Sequence, residues 1–221
     1  MTPEELAARI DHTLLRPTAT ANEIKRLCEE AVRFGFASVC VPPTFVPLAR
    51  EKLKGRKPRV STVVGFPLGF EMTSVKVYAA REAFFAGARE LDVVINLAWV
   101  KEGRFDFIAG EIESICEAVP EATIKVIIEC AYLSQEEKVA VIEALREGRA
   151  HYIKTSTGFA SQGATVEDVK LIHDLTLGMK KVKAAGGIRT LPQALELIRA
   201  GADRLGTSAG VQIMNEALSP S

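Results

Sequence analysis

Two lysines stand inside runs that otherwise read as buried strands: Lys154 ends Tyr152-Ile-Lys154, and Lys183 lies in Val182-Lys-Ala-Ala-Gly186. A lysine so placed must point into a cavity or be matched by an opposite charge. Acids occur in comparable runs, Asp11 beside His12 and Thr13, Asp92 ahead of Asn96, and Glu129 after Lys125. The chain has only six Asp, yet two fall in predicted strands, where Asp is disfavoured. Two amines beside a carboxylate suit imine chemistry. An amine nucleophile must be uncharged, and at an ordinary lysine pKa about one in 2,500 is neutral at pH 7. Bringing that pKa to about 7 costs roughly 4 to 5 kcal/mol; a second ammonium about 4 Å away, at an effective dielectric near 20, supplies about 4. The free amine attacks a carbonyl, and the protonated imine takes up the electrons of an adjacent carbon–carbon bond. A carboxylate such as Asp92 can move protons to and from the carbinolamine and aldol hydroxyls. Spacing leaves open which lysine is the nucleophile. The competing structural reading makes both lysines partners in ion pairs with Asp92, Asp11 or Glu129.

Glycines follow the same runs. Thr155-Ser-Thr-Gly158 comes after the sixth, Gly186-Gly187 after the seventh, and Gly206-Thr-Ser-Ala-Gly210 closes the eighth. Loops after the last two strands of a (β/α)₈ barrel commonly hold a substrate phosphate on backbone N–H groups and a helix N-terminus. Gly158, Gly186 and Gly187 would let the backbone approach, and Ser208 adds a hydroxyl. Asp11, Thr13, Cys40, Lys125 and Thr157 complete the candidate rim, although Cys40 reads more simply as a small core residue, and Thr13, Asn96 and Glu129 equally suit interior hydrogen bonding.

Eight strand-like runs recur, beginning at Ile10, Ser38, Val60, Leu91, Ile124, Tyr152, Val182 and Arg204, the fourth reaching from Leu91 to Asn96. That is about 28 residues per unit, the length of a strand, a turn, a helix and a return loop. Runs such as Val93-Val-Ile95 are apolar at successive positions, as in parallel strands covered on both faces. Between them lie amphipathic stripes, Ile24, Leu27, Cys28, Ala31 and Leu191, Ala194, Leu195, Ile198. Helix starts carry capping-box pairs: Thr2 with Glu5, Thr20 with Glu23, Ser134 with Glu137, Thr190 with Gln193. No G-x-G-x-x-G follows the first strand, so an open dinucleotide-binding sheet fits poorly. The expectation is a single α/β domain over 1–221, a (β/α)₈ TIM barrel with a short N-terminal helix.

The 221 residues are 48% apolar and 25% charged, with 28 basic against 28 acidic side chains. Balanced charge offers no field for nucleic acid. No apolar run nears the roughly 18 residues of a membrane helix, and the N-terminus lacks signal-peptide order, so a cytoplasmic protein without membrane contact is expected. Cys28, Cys40, Cys116 and Cys130 form no C-x-x-C pair, and three His without ligand spacing argue against a metal site. Asn and Gln number only seven, against 22 Glu, a bias of proteins from hot-living sources.

Seven strings resemble those of the deoxyribose-phosphate aldolase family: Ile10-Asp-His-Thr-Leu-Leu15, Ser38-Val-Cys-Val41, Val64-Gly-Phe-Pro-Leu-Gly69, Glu90-Leu-Asp-Val-Val-Ile-Asn96, Tyr152-Ile-Lys-Thr-Ser-Thr-Gly-Phe159, Val182-Lys-Ala-Ala-Gly-Gly-Ile-Arg189 and Arg204-Leu-Gly-Thr-Ser208. The resemblance implies a class I aldolase that reversibly cleaves 2-deoxy-D-ribose 5-phosphate to D-glyceraldehyde 3-phosphate and acetaldehyde, with neither metal nor organic cofactor. By the same resemblance Lys154 forms the imine, Lys183 lowers its pKa, Asp92 moves protons, and Gly158, Gly186, Gly187 and Ser208 contact the phosphate. The partners implied are small phosphosugars and aldehydes, in a homodimer or homotetramer. Two departures stand out. Phe159 occupies a position that is lysine in some members, removing one cationic phosphate contact, and the chain ends Leu-Ser-Pro-Ser where some members end in tyrosine. Two other readings lack an imine: a phosphosugar-binding lyase or isomerase with Lys183 as electrophile and Asp92 as base, and a catalytically idle phosphosugar-binding barrel.

Overall fold

β-Branched and apolar runs flanked by glycine and capped helices build eight parallel strands. In the computed structural model, which describes residues 1–219, these are β1 (Ile10–Thr13), β2 (Ser38–Cys40), β3 (Arg59–Val64), β4 (Glu90–Val94), β5 (Thr123–Ile127), β6 (Tyr152–Lys154), β7 (Lys181–Ala185) and β8 (Arg204–Thr207). They pair in chain order, and β8 closes onto β1. The helices are α1 (Pro3–Ala7), α2 (Ala21–Phe34), α3 (Val46–Lys52), α4 (Thr73–Ala86), α5 (Leu97–Lys101), α6 (Phe105–Ala118), α7 (Gln135–Arg146), α8 (Val166–Thr176), α9 (Leu191–Arg199) and α10 (Gly210–Leu218). This is the expected (β/α)₈ barrel with its short first helix. The end of the expected 1–221 unit, Pro220 and Ser221, lies outside the described residues.

The capping pairs act as their chemistry requires. Glu5, Glu23, Glu137 and Gln193 each accept from the backbone N–H of the Thr or Ser three residues earlier, at 2.7 to 3.2 Å. The α2 stripe Ile24, Leu27, Cys28 and Ala31 is buried against the barrel wall. The predicted fourth strand runs too long: Asn96 has left it and caps α5, its side chain accepting from Ala98 N–H at 3.1 Å. A short polar side chain that satisfies a helix N-terminus outcompetes strand pairing there.

Side-chain alternation sorts the strands into two environments. Val39, Val60, Leu91, Val93, Ile124, Val126, Ile153, Val182 and Leu205 belong to one apolar core shared with the helices. The alternate positions point inward and are largely polar: Asp11, Ser38, Ser61, Glu90, Asp92, Lys125, Lys154 and Lys183 are all buried. The apolar core holding the fold together is therefore outside the strand cylinder, and the cylinder itself holds charge.

Candidate active site

Six strands deliver seven charged side chains into the barrel: Asp11 (β1), Glu90 and Asp92 (β4), Lys125 (β5), Lys154 (β6), Lys183 (β7) and Arg204 (β8). Register sets their contacts, since Lys154 lies opposite Lys183, Lys183 opposite Arg204, and Asp92 opposite Lys125. Asp92 Oδ2 accepts from Lys154 Nζ at 2.6 Å and from Lys183 Nζ at 2.8 Å, so the two nitrogens are no farther apart than the sum of those distances. Its other oxygen accepts from Lys125 at 3.0 Å. Lys183 also meets Asp11 at 2.6 Å, Lys125 meets Glu90 at 2.7 Å and Asp11 at 3.4 Å, and Arg204 bridges Asp11 and Glu90. Glycine makes room for this: a Cβ on Gly206 would fall 3.1 Å from Lys183 Cε.

Above this array, at the carboxyl ends of β1, β6, β7 and β8, opens a cavity of about 370 Å³. Lys154 reaches it from below, and Thr13, Thr157, Gly158, Gly186, Gly187 and Ser208 form part of its wall. Gly158, Gly186 and Gly187 adopt φ of 90°, 90° and 76°, which any other residue enters at a cost. The loop after β6 is pinned by Glu129, whose buried carboxylate accepts from the Thr157 N–H at 3.2 Å and from its hydroxyl. Thr157 in turn accepts from Phe159 N–H at 3.0 Å.

Burial is the first cause pushing the Lys154 ammonium below its ordinary range; Asp92 opposes it and the Lys183 cation adds to it. This revises the expectation that a neighbouring ammonium suffices as activator, because Asp92 stands between the two and offsets much of their repulsion. Burial also works against the charge on Lys183, but Asp11 and Asp92 outweigh it and hold that ammonium charged. Asp92 is buried too, yet Lys125, Lys154 and Lys183 keep it ionised well below the usual carboxylate range. The ion pairs of the structural reading and the lowered ammonium of Lys154 are thus features of one arrangement.

Three rim candidates do not reach the cavity. Asp11 and Lys125 are fully buried in the array beneath it, where they hold Lys183, Arg204, Glu90 and Asp92. Cys40 is sealed beside the same charges, and burial pushes its thiol up, away from nucleophilic range. Asp92 and Lys183 likewise lie under Lys154 rather than in the wall. Two residues were missed: Arg16 and Arg189 line the cavity, so it is not short of cations despite Phe159. Arg16 is paired with Glu23, which leaves Arg189, directly after the Gly186-Gly187-Ile188 turn, as the sequence signal that was available. Phe159 itself is half-exposed and stands edge-on to Phe66, ring centres 5.3 Å apart.

A family model described as DeoC/LacD family aldolase matches residues 6–216. The chain belongs to the DeoC/LacD aldolase family. Deoxyribose-phosphate aldolase of Dictyoglomus turgidum is 52% identical over 211 residues, 96% of each chain. Among solved structures, an aldolase called QR15 superposes with a TM-score of 0.92 at 44% identity, covering 96% of both chains. Deoxyribose phosphate aldolase from Aeropyrum pernix, described as a unique tetrameric structure, gives 0.88 at 32% identity, covering 97% of this chain and 91% of its own. As a DeoC/LacD aldolase the chain is a lyase, and the family match spans every charged residue of the array and every glycine of the cavity wall.

Proposed function

We propose that this aldolase reversibly cleaves 2-deoxy-D-ribose 5-phosphate through an imine on Lys154, without a metal or organic cofactor. The observation that carries this reading is that Lys154 and Lys183 share one carboxylate oxygen while only Lys154 borders the cavity. In the proposed course the Lys154 amine adds to the aldehyde carbon, and loss of water leaves a protonated imine. Removal of the C3 hydroxyl proton breaks the C2–C3 bond. Its electron pair forms the enamine, and D-glyceraldehyde 3-phosphate departs. Protonation of the enamine at C2 and addition of water release acetaldehyde and restore the amine. Asp92, in contact with the Lys154 nitrogen, moves protons to and from the carbinolamine and aldol hydroxyls. Lys183 stays charged and disfavours a second ammonium at Lys154.

The test is reductive trapping. Acetaldehyde with borohydride should leave a two-carbon adduct on the peptide holding Lys154, read by mass spectrometry. An unmodified Lys154, which an imine-free isomerase or an idle binding barrel would give, overturns the reading.

For the phosphate we propose Gly158, Gly186, Gly187 and Ser208, with Arg189 as the cation. Gly163 holds the middle of this wall in place, because a Cβ there would fall 2.2 Å from the Gly186 carbonyl oxygen. Gly163→Ala should therefore displace the turn, costing about 1 to 3 kcal/mol of stability and raising KM for the phosphorylated substrate roughly tenfold. Unchanged KM in the face of a lowered Tm would argue against a phosphate at this turn.

The proposed partners are small phosphosugars and aldehydes rather than nucleic acid, and the proposed location is the cytoplasm, whose reducing chemistry suits four free thiols. No helix among the described residues is long and apolar enough to cross a membrane. A homodimer or homotetramer is the proposed assembly. Phe70, Met72, Tyr78 and Phe85 lie exposed along α4 and the loop before it, and the Aeropyrum pernix relative is described as tetrameric.

A further inference from the structure

The proposed chemistry uses Lys154, Asp92 and Lys183, yet two charged residues at the opposite end of the barrel are joined to them by ion contacts. Glu90 opens β4 and Arg204 opens β8, and Arg204 touches both Glu90 and Asp11. Glu90 meets Lys125 at 2.7 Å, Lys125 meets Asp92, and Asp11 meets Lys183 at 2.6 Å. We propose that Glu90 and Arg204 are positioning residues whose fixed charges set how many protons the buried array holds, and so whether Lys154 stands as an amine or as an ammonium. This rests on the reading of Lys154 as the imine-forming lysine.

The array of groups within 4.0 Å of one another contains three anions, Asp11, Glu90 and Asp92, and four cations, Lys125, Lys154, Lys183 and Arg204. Fully charged, it would carry one positive charge in excess in a cluster whose side chains are buried apart from Arg204, which is 17% exposed, and an excess charge so enclosed is costly. Losing one proton makes it neutral. Contacts decide which group loses it: Lys125 touches three carboxylates and Lys183 two, while Lys154 touches only Asp92. Arg204 does not deprotonate in this range. Lys154 alone borders the cavity, which gives its proton an exit.

The other groups facing the array leave the count unchanged. Cys40 from β2 is a thiol held protonated by burial, and Ser38 and Ser61 carry no charge. Tyr152 from β6 adjoins Arg204. Glu129, at the other end, is committed to Thr157 and makes no ion contact within 4.0 Å among the described residues.

Opposite substitutions should therefore move Lys154 in opposite directions. Arg204→Gln leaves three cations against three anions, so Lys154 keeps its proton to higher pH. Glu90→Gln leaves four against two, so the amine appears at lower pH. The double variant has three against two and regains the single excess of the unaltered enzyme. A unit charge acting over about 10 Å at an effective dielectric near 20 moves a titration by about one pH unit.

The experiment is to trap acetaldehyde on Lys154 by reduction across a pH series and find the midpoint of adduct formation by mass spectrometry. The readout is a midpoint rather than a yield, so partial loss of folded protein does not mask it, and Arg204→Lys gives a second variant that keeps the charge. Expected are a rise of about one unit for Arg204→Gln, a fall of similar size for Glu90→Gln, and the original midpoint for the double variant and Arg204→Lys. Midpoints that stay put, or that move the same way in both single variants, overturn the inference while leaving the imine intact. No adduct on Lys154 in the unaltered enzyme overturns the underlying reading and this inference with it.

Discussion

Lys154→Met is expected to lower aldolase turnover by a factor of about 10⁴ to 10⁶, the range seen when a covalent nucleophile is removed, while leaving thermal stability unchanged or improved. The two halves have one cause. Lys154 is one of four cations facing three anions in the array, and it touches a single carboxylate that Lys125 and Lys183 also hold. Methionine has similar length and volume, needs no proton to be lost, and leaves Asp92 with two cationic partners. Replacing a buried ionisable group by an apolar one of like shape is often neutral or stabilising, and a residue kept for chemistry against stability is the usual place for that trade. Turnover within tenfold of the unaltered enzyme would remove Lys154 from the chemistry. A fall in Tm of many degrees would instead make it a structural partner of Asp92. Both are read from purified protein, by a coupled glyceraldehyde 3-phosphate assay and by calorimetry.

The barrel was legible because its signals are local. Strand runs, capping pairs and the α2 stripe each depend on residues within a few positions of one another, and these survive into the fold nearly unshifted. Alternation also tells which strand residues face inward, since Asp11, Asp92, Lys125, Lys154 and Lys183 all share the inward parity of their strands. Height within the cylinder is a different matter. It depends on stagger between neighbouring strands, a non-local quantity set by barrel closure. Hence Lys125 and Asp11 looked as near the rim as Lys154, although register pairs Lys125 with Asp92 and sets Lys154 opposite Ile127, two residues farther along β5. Arg16 and Arg189 escaped notice for a related reason. They come from loops, where neither periodicity nor strand composition marks direction, and only closure brings the ends of β1 and β7 around one cavity.

Asp92→Asn should be damaging in both respects at once. Asparagine keeps the shape of the carboxylate but not its charge, and three lysine nitrogens at 2.6, 2.8 and 3.0 Å lose their shared anion. Removing one partner of a buried ion cluster typically costs about 3 to 5 kcal/mol, and in a domain of this length each kcal/mol lowers Tm by roughly 2 to 4 °C. A drop on the order of 10 °C at pH 7 is the expected result. The pH dependence carries the sign. The Asp92 carboxyl is held well below its ordinary range in the folded protein, so its contribution is complete above the unfolded value near pH 4 and is lost as pH falls below it. The stability gap between the two proteins should therefore be full at neutral pH and close under more acid conditions. Turnover should fall as well, by about 10² to 10³, for want of the group proposed to move protons to and from the carbinolamine and aldol hydroxyls. Raising the pH should not restore it. Asp92 favours the charged form of Lys154, so its loss makes that amine easier to deprotonate, and protonation of the nucleophile is then not what limits the variant. Recovery of activity in mild alkali would show that Lys154 had instead gained a proton when Asp92 was removed, contrary to the direction the geometry gives.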